Sequence, residues 1–174
     1  LKAVSRLLNA AGGSVRYRPS QAFSLRLTAG RNIDASDNYL GASHANRFET
    51  RRDSASLQGD IALAQGQSLS LGLDWLRDSG GVDDPFSAFD ASRGNRAAFA
   101  QYQGKFDAQD LQLSLRRDDN DQFGGKTTGG IAWGFGFGDG WRLAASHATA
   151  FKAPSFNELY YPYYGNPSLR PEAS

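Results

Sequence analysis

Four hard oxygen donors stand in a row at Asp118-Asp119-Asn120-Asp121, a composition suited to calcium. The spacing does not follow through, because Phe123 stands where a ligand belongs and Gly130 where a bidentate glutamate belongs. A solvated rim between strand and loop is the better reading of this run. Asp34, Asp37 and Asn38 form a second acidic stretch, and Asp83-Asp84 a third. His44 and His147 lie in different elements, with no partner at ligand spacing. Gly134, Gly136, Gly138 and Gly140 are wrongly spaced to cradle a phosphate; small residues at every second position instead let a neighbouring strand approach closely. No serine sits in a nucleophile elbow and no motif positions a carboxylate pair, so the sequence offers no enzyme.

What remains is aromatic recognition. The stretch from Phe151 to Glu172 carries Pro154, Pro162, Pro167 and Pro171, each lacking a backbone donor and biasing the residue before it towards an extended or turn conformation. Gly165-Asn166 adds a tight turn. The expectation is a long ordered loop that contains neither a helix nor a central strand. Its Phe156, Tyr160, Tyr161, Tyr163 and Tyr164 are too much amphipathic surface for a disordered linker. They either pack on the protein itself or, together with Asn166, grip a bulky ligand.

These residues need a scaffold, and the rest of the chain repeats one pattern. Leu57, Gly59, Ile61 and Leu63 alternate with polar or small neighbours, and Leu69, Leu71, Leu73 and Trp75 alternate with Ser68, Ser70, Gly72 and Asp74. The same period of two runs through Phe23 to Ala29, Ala98 to Phe106 with Phe99 as the exception, Leu111 to Leu115, and Ile131 to Phe137. Tight turns are expected at Pro19-Ser20-Gln21, Gln65-Gly66-Gln67, Ala108-Gln109-Asp110 and Asp139-Gly140. Longer links are expected over 35–46, 79–95 and 120–126, and after Phe151. Residues 1–11 are ambiguous: Leu1, Val4, Leu7, Leu8 and Ala11 have helical spacing, with Gly12-Gly13 as a helix end.

About eight strands result, with short turns on one edge and long loops on the other. That is the pattern of an all-β, antiparallel transmembrane barrel of outer-membrane type, its turns periplasmic and its loops external. A mean hydropathy of -0.52 is compatible, since lipid-facing apolar residues alternate with polar lumenal ones. Phe23, Phe106, Phe137 and Trp141 lie beside the short turns as an interfacial girdle would, with Trp75 and Phe151 towards the other rim. No apolar run is long enough for a helical span. A net charge of +1, with the signs interleaved, gives no case for nucleic acid, and the absence of cysteine excludes a disulfide framework.

Lys-Ala-Pro-Ser-Phe-Asn-Glu-Leu-Tyr at 152–160 and Gly-Asn-Pro-Ser-Leu-Arg-Pro-Glu at 165–172 resemble the barrel of TonB-dependent outer-membrane receptors, most of all the cobalamin receptor branch. The likeness extends to 117–124 and 140–146 and more faintly to Leu73-Asp74-Trp75. It implies a strand at the ambiguous N-terminus. It also implies that residues 1–174 are a piece of a plugged barrel of about 22 strands, without the plug domain, the TonB-contact segment or the closing C-terminal strands.

By resemblance the protein takes up cobalamin or a similar bulky ligand, sits in the bacterial outer membrane among its lipids, and is energised by TonB through the missing N-terminal region. Phe156, Tyr160, Tyr161, Tyr163, Tyr164 and Asn166 would contact the ligand, and Arg47 and Phe48 begin a strand where a family ligand contact can occur. Receptors of this branch hold calcium in acidic outer loops, but no residue of this sequence matches those ligands. Arg26, Asp60, Asp74, Lys105, Arg116 and Arg142 would face the lumen, pairing across strands and meeting the plug; taken singly, a hydrated lumen accounts for each. A ferric-siderophore receptor would share nearly every feature. A small stand-alone structural barrel is allowed by the strand count and disfavoured by the proline motifs.

Overall fold

The computed structural model describes residues 2–84, 88–161 and 164–174. Eight strands follow one another in a single antiparallel sheet ordered as in the chain: β1 Lys2–Tyr17, β2 Phe23–Leu40, β3 Ser43–Ala64, β4 Gln67–Asp83, β5 Phe89–Phe106, β6 Gln109–Asn120, β7 Gly124–Phe137 and β8 Trp141–Ala148. The sheet does not close, since β1 pairs only with β2 and β8 only with β7 among the described residues. Among these residues, too, no helix is long and apolar enough to cross a membrane.

The N-terminal ambiguity resolves as strand. Every residue from Lys2 to Tyr17 has a partner on β2, and the helical spacing arises because Val4 and Leu8 share a face with Arg6 while Leu7 lies on the other. The predicted links over 35–46 and 120–126 prove to be mostly strand. β2 runs to Leu40 and turns at Gly41-Ala42 into β3, and β7 begins at Gly124. Of the link over 79–95, residues 79–83 belong to β4 and 89–95 to β5; residues 85–87 lie outside the described residues. The polar composition of these stretches suggested loops, but their backbone groups are paired across strands. Strands of 16 to 22 residues in β1–β5 exceed the roughly 9–11 that cross a bilayer, so one end of the sheet projects well past any membrane it spans.

The two faces are opposite in character. Leu57, Leu71, Leu73, Trp75, Leu113, Leu115, Ile131 and Leu143 lie on one face, and all are exposed. Trp133, Phe135 and Phe137 stack along β7 on that face, with ring centroids about 6 Å apart. The other face is ionic and hydrogen-bonded, an inversion of the soluble arrangement that suits a sheet bathed in hydrocarbon outside and water inside.

Asp60 accepts hydrogen bonds from Ser70 Oγ at 2.7 Å, Gln58 Nε2 at 2.7 Å and Ser24 Oγ at 3.3 Å. Arg116 reaches from β6 to Asp74 on β4, and its Nε donates to Asp118 at 3.0 Å. The small Ala97, register partner of both aspartates, lies buried between them. Arg142 pairs with Asp110, and Arg26 lies within electrostatic reach of Asp60.

Phe99, the one aromatic that breaks the alternation, shares this polar face. Its register partner is Gly72, and the ring fills the space a side chain there would need: a Cβ on Gly72 would overlap the ring and approach Leu57 O to 3.0 Å. Gly72→Leu in the full-length protein is therefore expected to cost roughly 1–3 kcal/mol through overpacking. Adding Phe99→Ala should recover most of the loss. Urea unfolding midpoints of the two variants check this, and equal midpoints would refute the packing account.

Candidate functional site

After β8 the chain leaves the sheet and returns. Phe151–Lys152 pairs with Glu172–Ala173, and Ala150 and Ser174 exchange backbone hydrogen bonds of 2.9 and 3.1 Å, so the excursion is closed at its base. Inside it Phe156–Tyr160 is a helix, α1, contrary to the expectation that the prolines would exclude one. Pro154 precedes the first turn, where it breaks no helical hydrogen bond, and Ser155 caps it. Ser155 Oγ accepts the Glu158 N–H at 3.3 Å, and Glu158 Oε2 accepts the Ser155 N–H at 2.7 Å, a reciprocal capping box.

α1 lies on the polar face at the far ends of β3, β4 and β5. Leu159 is fully buried and Phe156 is 7% exposed. A Cβ on Gly80 would come within 3.0 Å of the Phe156 ring, so the strand backbone itself forms the seat. Phe48, Phe89, Phe156, Tyr160 and Tyr161 form a chain of ring contacts with centroid separations of 5.9–6.4 Å. The lateral clamp is Arg93, whose Nη1 donates to Pro154 O at 2.8 Å while the guanidinium lies 5.0 Å from the Phe156 ring centroid and 5.6 Å from that of Phe123. Gln122 Nε2 donates to Tyr160 Oη at 2.8 Å, tying the β6–β7 turn to the same helix.

Between α1 and the sheet lies a cleft of about 730 Å³, within the range of small-molecule sites. Phe48, Phe156 and the stem of Arg93 give it apolar wall, and Thr50, Arg52 and Asn157 supply polar groups. Arg52 is held in place by a two-point pair with Asp78, at 2.6 and 3.0 Å. Such a site can hold a large ligand by apolar contact and orient it with a few fixed polar groups.

The candidate ligand residues separate on this frame. Phe156 lines the cleft, and the half-buried Tyr160 stacks against it. Tyr161 is 38% exposed at the end of α1, and Tyr164 is 86% exposed. Asn166 anchors the return turn: its N–H donates to Glu158 O at 2.8 Å and its Oδ1 accepts the Ser168 N–H at 3.0 Å. Tyr163 lies outside the described residues. Arg52, Arg93 and Asn157 were not singled out from the sequence; the register of Arg93 with Asn95, Ala97 and Phe99 was the signal for its inward face.

The acidic run does not fit a calcium loop. Asp118 and Asn120 point to the polar face while Asp119 points to the other, and Asp121 Oδ2 accepts the Gly94 N–H at 2.9 Å. Four ligands divided this way do not converge on one ion.

A family model described as TonB dependent receptor-like, beta-barrel, matches residues 5–174. The chain is 34% identical over 149 residues to the vitamin B12 transporter BtuB of Photobacterium profundum, covering 86% of this chain and 24% of that protein. It is 41% identical over 101 residues to the vitamin B12 transporter BtuB of Vibrio cholerae serotype O1, covering 58% of this chain and 16% of that protein. The chain thus spans a quarter or less of the length of these relatives. Among solved structures, the siderophore receptor PirA from Pseudomonas aeruginosa aligns with a TM-score of 0.58 at 20% identity, over 97% of this chain and 40% of that one. The RagAB peptide importer in its closed-closed state aligns with a TM-score of 0.67 at 14% identity, over 99% and 27%. At these identities the likeness to solved structures is one of fold.

The capping box makes the loop sensitive to acid. The Ser155 backbone N–H, followed by its hydroxyl, holds the Glu158 carboxyl below its ordinary 4.5, with Lys152 adding a weaker attraction. A depressed carboxylate stabilises the fold above its unfolded value and loses that contribution as pH falls through the folded one. Hydrogen exchange at the Leu159 amide, corrected for intrinsic rates, is therefore expected to quicken between about pH 6 and pH 3 in the full-length protein, and Glu158→Gln should flatten that dependence. A flat profile in the unaltered protein would show that the box does not hold the helix.

Proposed function

The chain belongs to the TonB-dependent receptor-like β-barrel family, and on that premise we propose that it forms part of the barrel of a bacterial outer-membrane receptor for energy-coupled uptake of cobalamin. The similarity to vitamin B12 transporters carries the ligand; a sheet apolar outside and ionic inside supports the membrane. In this reading the excursion between β9 (Phe151–Lys152) and β10 (Glu172–Ala173) is the outer recognition loop. It holds a corrinoid against Phe156, Tyr160, Tyr161, Tyr163 and Tyr164, with Asn166 keeping the turn in shape.

The work of such a protein is capture and gating rather than bond making, so no catalytic residue is assigned. The charged inner face of β2–β8 is the wall against which a movable plug must slide. A polar, hydrated wall lets a plug shift by exchanging protein and water hydrogen bonds, whereas an apolar one would hold it by burial. Plug, TonB-contact segment and remaining strands would lie outside these residues, and TonB would act through the N-terminal part. A stand-alone eight-stranded barrel would require β1 to pair with β8, and the sheet is open there.

Two measurements test this reading. Single cysteines at Ser70 and at its register partner Gln101 in the full-length protein should react with a membrane-impermeant maleimide, while cysteines at Leu71 and Leu73 should be protected; uniform reaction of both sets would remove the membrane assignment. Tyr161→Ala and Tyr164→Ala should each weaken cobalamin binding by about 1 kcal/mol, roughly fivefold, with unchanged barrel assembly. Retained cobalamin affinity in the double variant would move the ligand off the loop, and binding of a ferric siderophore in place of cobalamin would change the ligand class.

A further inference from the structure

The apolar face ends at a defined level. On β4 the alternation Leu69, Leu71, Leu73, Trp75 is followed two residues later by Arg77. Directly across from Trp75, on β5, stands Arg96, and on β6 Arg117 pairs with Ala98. On three adjacent strands an arginine is thus the first outward residue past the apolar run, after Trp75 on β4, Ala98 on β5 and Leu115 on β6, and the three lie on a diagonal that steps two residues from each strand to the next. Neighbouring strands are about 4.8 Å apart and two residues span about 6.7 Å, so one phosphate group can be reached by at least two of them.

The outward arginines fall into two sets. Arg31 and Arg51 both engage Asp53, and Arg47 engages Asp37 and Glu49. Arg77, Arg96 and Arg117 form no ion pair among the described residues, and the one side-chain hydrogen bond of Arg117 there is to Thr127 Oγ1 at 2.9 Å. Three carboxylates share this part of the face: Asp53, register partner of Arg77, is held by Arg31 and Arg51, Asp119 stands across from Arg96, and Asp121 accepts the Gly94 N–H; against Arg31, Arg51, Arg77, Arg96 and Arg117 they leave an excess of positive charge. Trp75, Arg77, Gly94, Arg96 and the carboxylate-bearing Asp121 are among the residues that line a groove of about 170 Å³ on this face.

We propose that Arg77, Arg96 and Arg117, with Trp75 at the edge of the apolar band below them, form a binding site for the phosphate of a membrane lipid headgroup. The argument rests on the membrane reading and extends it. In a bilayer the apolar band fixes the depth of the sheet, and the first outward residues beyond it lie at the level of the headgroups. An indole belongs at that boundary, with its ring in the apolar zone and its N–H towards water. Guanidinium forks match phosphate oxygens in a two-point geometry, and a cation already ion-paired within the protein could not offer them. The lipid also brings its own tails, which cover Leu71, Leu73 and Leu115. Headgroup and apolar contacts are thereby satisfied by one molecule.

Native mass spectrometry of the full-length protein in a non-ionic detergent tests the site, with dioleoyl phosphatidic acid as probe and dioleoylglycerol as its phosphate-free counterpart. Phosphatidic acid should be retained in preference to dioleoylglycerol, and Arg77→Gln/Arg96→Gln/Arg117→Gln should lower its apparent affinity at least tenfold while the protein stays heat-modifiable and binds cobalamin as before. If the triple variant does not assemble, Arg77→Gln and Arg96→Gln singly should each lose at least threefold. Undiminished retention in variants that assemble would overturn the proposal. So would displacement of the lipid by equimolar inorganic phosphate, which would make this a site for the free anion. Maleimide reaction at Leu71→Cys in the unaltered background would instead signal failure of the membrane reading itself.

Discussion

Everything in this molecule depends on a continuous antiparallel ladder in which each strand pairs with the next, its register shifting only near the strand ends at Asn38/Tyr39 and Ala62/Ala64 among the described residues. Strict neighbour pairing keeps the side-chain alternation of all eight strands in phase, so residues assigned to one face on β4 stay on it from β1 to β8. A slip of one residue in any pairing would carry leucines into the polar network and arginines into the apolar band. The side chains discourage that slip. Arg116 can meet Asp74 and Asp118 only in the observed register, and the Phe99 ring fits only over Gly72.

The same ladder makes the excursion after β8 possible. Because β3, β4 and β5 extend beyond the apolar band, they offer a rigid platform on which α1 can sit, and Phe48, Val82, Phe89, Phe156 and Leu159 build a small apolar core there. Pro154 and the capping box fix the start of the loop; Arg93 fixes its position on the sheet. Buried aromatics serve as anchors, leaving Tyr161 and Tyr164 at the surface. A loop held in this way has little conformational entropy left to lose in any further contact.

The two faces also divide the labour of charge. On the inner face most arginines and aspartates are matched, giving a wall that is polar yet largely self-satisfied. On the outward face, at the end of the apolar band, three arginines form no ion pair among the described residues. A protein in water would gain little by placing unpaired cations beside an exposed indole. Beside a bilayer the same arrangement has a partner at hand.

Much of this was legible in the sequence because the side-chain period of a strand is local. The alternation in Leu69 to Trp75 and its counterparts pointed to about eight strands and two unlike faces, and the short turns at Gly66 and at Asp139-Gly140 were marked by their own residues. Even the lumenal charges could be named, since parity alone assigns them. Where strands end was not legible: residues 35–46 look like a loop until Asn38 is seen paired with Asn46, because polar residues outside a membrane make equally good strand once a neighbour supplies the hydrogen bonds. The helix at Phe156 was hidden for the opposite reason, its five residues being too few to show a period and its stability coming from the seat at Gly80 and from Arg93. Which aromatics became anchors and which stayed exposed was decided by contacts between residues 61 positions apart, as between Arg93 and Pro154, and no local pattern in a chain encodes those.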